Sequence, residues 1–463
     1  MVSHQDIVDI VGAKNVMTAA EAALRSVRWG NDEPCRCRML VMPTDTEQVA
    51  GVVRACAEVG QTIVIHGGRT GMAGGAVSGE TDVVLSLEKL NRIESFDSHG
   101  RTMIVGAGVT VQQVQEYAQD QGALFAVDYG ARGSATVGGA IATNAGGNRV
   151  FRYGMMREQV LGLEVVLADG TIVNGLKGLI KDNSGYDLKQ LFIGSEGTLG
   201  IVTRAVLRLR PLMASRSTAL ITFQRFEQVL IFLRWIEARL GGTLSAFELM
   251  WQSFFAAVTR HSGGIAGLPP DAPFYALVEA EGGDSEQDDA GFLAAMEAAL
   301  EQGLFEDAVI AKSAGEREAL WAIREDIDIL MRMGDRIDFD VSLPTSGMAA
   351  YLDHVQNRLA TEVDDCTLVV FGHIADNNLH AMAIRSCPFA ADERHLIKAI
   401  MYEQLRAAGG SVSAEHGIGL DKKAALPVTR TSAELALMRR IKRCMDPHDL
   451  LNPGKIVDLA ASD

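Results

Sequence analysis

Glycine gathers at three places in the first half of this chain, each beside a short apolar run. The run "TIVI" passes straight into "HGGRTGMAGGAV", which carries Gly67, Gly68, Gly71, Gly74 and Gly75. The second cluster, "GSATVGGAIATNAGGNRVFRYG", carries Gly138, Gly139, Gly146 and Gly147 with Thr143 and Asn144, and the third, "KDNSGYDLKQLFIGSEGTLGIVT", carries Gly185, Gly194, Gly197 and Gly200. Each glycine inside a helix or strand costs roughly 0.5–1 kcal/mol relative to alanine, so this density predicts loops at strand ends. A glycine loop there can turn through positive φ and aim peptide N–H groups at a diphosphate, because no Cβ blocks close approach. The first loop lacks the lysine of a P-loop and the spacing of a dinucleotide fingerprint, so by itself it reads equally as a connection. Three such loops in one domain predict a large ligand lying over them.

The rest of the chain supplies the frame. "TDTEQVAGVVRACAEVG" has a Thr/Asp cap and apolar residues at helical spacing, and feeds the strand that ends in the first glycine loop. "VLGLEVVLADGTIV" reads as two strands turned at Asp169-Gly170. From about residue 216 the texture changes to strand, helix, strand, twice over, with "HSGGIAGLPPD" as a loop between the halves. That order predicts a sheet covered on one face by helices. A chain of 463 residues exceeds what one core usually supports. The expected division is 1–215, 216–410 and a C-terminal segment, 411–463, that packs back on the first domain.

Charge and cysteine content narrow the class. A formal charge of -16 repels a phosphate backbone and argues against nucleic acid as a partner. The six cysteines are sparse and irregularly spaced, which predicts a reduced, cytoplasmic chain. Cys35 and Cys37 are one residue apart, closer than the usual zinc-knuckle spacing. The N-terminus lacks a signal pattern, and no apolar run is long enough to span a membrane.

The later sequence sets histidines among turn formers: "VVFGHIADNNLHAMAI" holds His373 and His380, and "SAEHGIGLDKK" holds Glu415 and His416. On an unbroken strand, residues seven apart face opposite ways. Asp376, Asn377 and Asn378 can bend the chain into a turn, which lets the two histidines converge. With Glu415 they would make an N2O site for a borderline metal; the same histidines also read as satisfied structural ones.

Taken together, these motifs resemble the vanillyl-alcohol oxidase superfamily with its PCMH-type FAD-binding domain. From about residue 40 to "DLLNPGKIV" the chain is similar to the branch of FAD-dependent D-2-hydroxyacid dehydrogenases acting on D-lactate or D-2-hydroxyglutarate. The resemblance implies an α+β fold: a two-subdomain FAD-binding domain, a substrate domain built on an antiparallel sheet covered by helices, and a C-terminal helical segment that completes the active site. It implies that the loop from His66 through Gly67, Gly68, Arg69, Thr70, Gly71 and Gly74 wraps the FAD pyrophosphate. Thr136, Gly138, Gly139, Thr143, Asn144, Gly146 and Asn148 would line the isoalloxazine and nearby diphosphate. Glu196, Gly197 and Ile201 would sit beside the cofactor, and Asn452 close to the flavin. His66 stands where many relatives carry arginine and misses the slot used for covalent attachment elsewhere, which implies non-covalent FAD.

In metal-bearing members of the branch, the residues matching His373, His380 and Glu415 bind a divalent ion, usually zinc, and the residue matching His416 is the general base. Family members place glycine-aspartate-glycine-asparagine between the histidines, where this chain has Ala375, Asp376, Asn377 and Asn378. Arg324 matches an arginine that contacts the substrate carboxylate, as a bidentate guanidinium can. D-2-hydroxyglutarate enzymes place a lysine where Asp338 stands and an asparagine where Met382 stands.

An acid repels a second carboxylate and methionine has no strong donor. The expected substrate is therefore D-lactate or another D-2-hydroxy acid without a distal carboxylate, unless Asp338 pairs with Arg336 or Arg332 and faces away. Electrons would pass to a separate acceptor such as an electron-transfer flavoprotein, a quinone or a cytochrome, with any membrane association peripheral and through that acceptor. A homodimer and a tail helix docked within one chain are both open. Two other classes remain: an oxidase of alcohols or polyols that uses oxygen, and a non-catalytic flavin-binding subunit of a redox complex.

Overall fold

The computed structural model describes residues 1–30, 32–260 and 267–459. They form two compact units: the first comprises Met1–Gly147, Gly154–Pro211 and the chain from Glu415 onward, and the second Asn148–Tyr153 with Leu212–Ala414. Against the expected divisions, the crossings fall at Pro211/Leu212 and Ala414/Glu415, and the short piece Asn148–Tyr153 groups with the second unit. The reason lies in long-range polar contacts: Tyr153 Oη donates to Glu281 at 3.0 Å and Arg152 Nη1 to the Glu281 carbonyl at 2.7 Å.

The first unit has two main sheets. In one, Met39–Val41, Val83–Ser86 and Ile63–His66 run parallel, with Val16–Thr18 antiparallel at the edge. The helix Thr46–Glu58 is capped by Asp45, whose side chain accepts from the Gln48 N–H, and it buries Val49, Ala50, Val52, Val53 and Cys56. Those residues share a core with Met39, Ile63, Val83 and Leu85. The other sheet is antiparallel, in the order Ile93–Asp97, Thr102–Gly106, Ile201–Arg208, Val160–Val166, Ile172–Gly175. Its last hairpin turns at Gly170, at φ +80. The helix Val137–Thr143 contributes Val137, Ala140 and Ile141 to that sheet's core.

The tail docks within the first unit. Thr431 and Glu434 form a capping box that starts the helix Ser432–Met445. The buried Lys442 ammonium donates to the Thr198 carbonyl at 3.0 Å and the Leu451 carbonyl at 2.9 Å, and pairs with Asp446 at 2.6 Å.

The second unit is one seven-stranded antiparallel sheet, ordered Asp307–Ile310, Ser215–Phe223, Phe274–Gly282, Leu244–Trp251, Thr367–His373, Asn378–Arg385, Asp335–Ser342. The two strand-helix-strand repeats are present, with helices Phe226–Leu240 and Ser285–Glu301. Helices cover both faces, which corrects the one-face expectation. Phe247 packs on Phe232 of one long helix, while Met250, of opposite parity on the strand, shares a core with Phe254, Leu320 and Leu330 of the shorter helices Gln252–Thr259, Ala314–Glu325 and Ile327–Met331. The loop expected over "HSGGIAGLPPD" begins at residues 261–266, outside the described residues. No helix among the described residues is long and apolar enough to cross a membrane.

Candidate active site

In the first unit, the strand Ile63–His66 delivers the first glycine loop. None of the peptide N–H groups from Gly67 to Ala76 donates a hydrogen bond to another described residue. Peptide N–H groups without an acceptor in the protein are available to an anion. A Cβ on Gly68 would lie 2.0 Å from the Ser134 carbonyl oxygen, and one on Gly67 2.6 Å from Thr136 Oγ1, so only glycine lets these two loops approach. Arg69 holds φ +57 and donates from Nη1 to the Ser26 carbonyl at 2.8 Å. His66 is fully buried, and its Nε2 meets the Ala76 carbonyl at 2.8 Å, closing the base of the loop that also holds Thr70, Gly71 and Gly74. Burial pushes the His66 imidazole down to about 3, so it is neutral and Nε2–H is the donor.

The second loop is built around the helix Val137–Thr143. Thr136 caps it by accepting from the Gly139 N–H at 3.3 Å, and Thr143 donates back to the Gly139 carbonyl at 3.0 Å. Gly138 is required because a Cβ would sit 2.7 Å from Ala107 Cβ. Asn144 ends the helix in the left-handed region and accepts from the Arg157 N–H at 2.9 Å. Gly146 and Gly147 follow; Gly147, at φ +116, donates its N–H to Glu415 Oε1 at 2.9 Å. The second loop therefore holds the Glu415 carboxylate by a main-chain contact. Asn148, assigned to the same loop, groups with the second unit and donates to Glu325 at 3.2 Å.

The third loop braces other segments of the first unit. The Glu196 carboxylate accepts from the Ile418 N–H at 2.7 Å and the Gly419 N–H at 2.8 Å, fixing the chain just beyond His416. Burial pushes the Glu196 carboxyl up, and those two N–H groups pull against it. Asn452 accepts from the Ile65 N–H at 2.9 Å and donates to the Glu196 carbonyl at 2.6 Å, tying loops one and three together. Gly197 stands at φ +71 with the place for a Cβ 2.9 Å from Asn452 Nδ2. The Ile201 side chain is in the core, leaving its main chain as the part that can face a ligand.

In the second unit the two histidines converge as the "ADNN" turn predicts. The hairpin pairs Phe371 with His380, Ile374–Asp376 makes one 3-10 turn, and Asn377 takes φ +72. The positive φ falls on Asn377, so Ala375, where relatives have glycine, is not strained. The His373 and His380 rings lie 5.3 Å apart, nearly perpendicular. One ring nitrogen of each lies within 4.8 Å of the other's. His380 Nδ1 is 3.9 Å from Asp340 Oδ1 on the neighbouring strand. Asp340 Oδ2 also accepts from Ser413 Oγ at 3.1 Å and from the Ala414 N–H at 3.2 Å. Glu415 and the half-buried His416 are the next two residues in the chain.

The residue that the sequence reading missed is Glu248. Its Oε1 lies 2.6 Å from His373 Nδ1, and its Oε2 2.8 Å from both Arg324 Nε and Nη2. Burial raises the Glu248 carboxyl, but His373 and Arg324 outweigh it and leave it below the usual range. Arg324 also stacks 4.7 Å over the Phe371 ring. At the other end of this sheet face, Asp338 pairs with Arg336 at 3.2 Å and stands opposite Met382, which is part of the core.

Residues 37–175 match the family profile described as an FAD binding domain, and residues 212–456 match FAD linked oxidases, C-terminal domain. A D-2-hydroxyglutarate dehydrogenase of Xanthomonas citri pv. viticola is 40% identical over 90% of this chain and 89% of its own. The mitochondrial D-2-hydroxyglutarate dehydrogenase of Bos taurus is 37% identical over 94% and 78%. A Schizosaccharomyces pombe protein whose name, a provisional one, is mitochondrial D-lactate dehydrogenase is 34% identical over 93% and 84%. Among solved structures, p-cresol methylhydroxylase with substrate bound superposes with a TM-score of 0.79 at 18% identity, covering 99% of this chain and 97% of that one. At that identity the likeness speaks for the fold.

Proposed function

Since the chain belongs to the FAD-linked oxidases, in their D-2-hydroxyacid dehydrogenase branch, we propose that it oxidises a D-2-hydroxy acid to the 2-oxo acid with non-covalent FAD and a divalent ion, zinc by choice of ligands. FAD, when bound, accepts the hydride from Cα. The row of N–H groups from Gly67 to Ala76 and the glycine-only approach of Gly67 and Gly68 to the Ser134–Thr136 backbone suit a diphosphate. Gly147 donates to Glu415, the carboxylate offered for the ion.

The observation that carries the metal reading is the pairing of His373 and His380 at 5.3 Å on one hairpin. Glu415 is the remaining donor, one peptide beyond Ala414, which is itself bonded to Asp340 across from His380. Two imidazoles and a carboxylate suit a borderline cation, which lowers the pKa of a bound hydroxyl. His416, next in the chain, takes the hydroxyl proton. Glu196 holds the chain at Ile418 and Gly419, and so limits where His416 can be.

The substrate read is an acid without a distal carboxylate, such as D-lactate. Its support is the apolar Met382, which stands opposite Asp338, and the absence of a lysine at 338; the pairing of Asp338 with Arg336 weakens the repulsion expected from the sequence. A second reading has D-2-hydroxyglutarate as substrate, with Arg336 leaving Asp338 for the distal carboxylate; it is favoured by the names of the relatives. Anaerobic mixing of the yellow protein with D- and L-2-hydroxy acids tests cofactor, handedness and substrate together. Rapid bleaching by D-lactate and slow bleaching by D-2-hydroxyglutarate is expected; the reverse order selects the second reading, and no bleaching by any hydroxy acid defeats both. Peroxide formed stoichiometrically under air would make the protein an oxidase instead.

A further inference from the structure

The geometry points to Glu248 as the positioning residue for His373, with Arg324 holding the Glu248 carboxylate in place. This rests on the reading of His373 as a metal ligand. A carboxylate only accepts hydrogen bonds, so the 2.6 Å contact places the imidazole proton on Nδ1 and leaves the Nε2 lone pair for a cation. Metal-bound histidines are held in this way by an outer carboxylate, which fixes both tautomer and ring plane.

Glu248 and His373 are register partners on adjacent strands, so the contact is set by sheet pairing. Arg324 approaches from the helix Ala314–Glu325 and puts two donors on the second oxygen of the same carboxylate. All three are buried, at 1%, 5% and 4% exposure, and the positive and negative charges balance without His373. The guanidinium is further held by the ring of Phe371, the register partner of His380. Two adjacent supports therefore brace both histidine strands from the same side.

The test compares holoenzyme carrying Glu248→Leu, Glu248→Gln and Arg324→Met with wild type. Zinc affinity is measured by chelator competition. Glu248→Leu is expected to bind zinc about 10–100-fold more weakly, with FAD absorbance and circular dichroism unchanged. Glu248→Gln, which keeps one acceptor oxygen, recovers part of that loss. Arg324→Met weakens zinc as well. If Glu248→Leu fails to fold around an unmatched Arg324, the double variant Glu248→Leu/Arg324→Met removes both charges and must show the same loss. Wild-type zinc affinity in the Glu248 variants overturns the inference, and wild-type affinity in Arg324→Met removes Arg324 from it. A wild-type protein that binds no divalent ion overturns the metal reading itself and this inference with it.

Discussion

Arg336 Nε lies 3.2 Å from each carboxylate oxygen of Asp338, two residues along one strand, on the face that carries Asp340 opposite His380. The pair carries no net charge. Replacing Asp338 with lysine would leave two cations there. The expected result is a rise of about tenfold or more in kcat/KM for D-2-hydroxyglutarate relative to D-lactate, equivalent to roughly 1.4 kcal/mol. Steady-state kinetics on both acids measure the ratio, and an unchanged ratio would mean that Asp338 lies outside the substrate's reach.

Asn452 holds two cofactor loops by two hydrogen bonds, to the Ile65 N–H and the Glu196 carbonyl. Asn452→Ala leaves both backbone groups without partners, at a cost of roughly 1–3 kcal/mol for each group left unsatisfied. Thermal melts of FAD-free and FAD-loaded protein should both fall, and FAD should dissociate more readily. A melting point equal to wild type would disprove the tie.

Lys455 is 3% exposed, and burial lowers its ammonium from an ordinary 10.5 to about 8, with Asp82 and Glu196 offsetting part of that. Below pH 8 the amine is charged in both folded and unfolded chains, and the cost of burying it is fully expressed. Between about 8 and 10.5 the unfolded chain still binds the proton that the folded one has released, so stability rises with pH. Urea melts of FAD-free protein should show that rise, and Lys455→Met should flatten it. A wild-type slope retained in Lys455→Met would assign the effect to another group.

Removal of the divalent ion is expected to abolish turnover while leaving FAD bound, because the glycine loops and the paired histidines use no residue in common. Dialysis against a chelator, followed by flavin absorbance and activity with and without added zinc, separates the two. Full activity after complete metal removal rules out the ion's part. His416→Ala should slow anaerobic flavin reduction by about 10²–10⁴, the usual worth of a general base; stopped-flow reduction at the wild-type rate would release His416 from that role.

The glycine loops were legible from local composition, as clusters of glycine beside short apolar runs, while the groups that exclude a Cβ at Gly68 and Gly138 lie far along the chain. The histidine hairpin was legible for the same reason, since Asn377 carries the turn that brings His373 beside His380. Glu248 was not. It sits in "SAFELM", where a lone acid among apolar residues reads as the exposed side of a strand, and its partners come from distant segments joined by sheet pairing. The pairing of Arg324 with Glu248 was hidden for the same reason, since the two lie 76 residues apart in the chain. The crossing of Asn148–Tyr153 was hidden likewise, because Tyr153 finds Glu281 far along the chain.

The row of amides from Gly67 to Ala76 has a practical consequence. If those amides seat the FAD diphosphate as proposed, inorganic phosphate or sulfate in a storage buffer should compete for them in the flavin-free protein. Reconstitution titrations run in phosphate will report a weaker apparent Kd than those run in a buffer whose anions are bulky or absent.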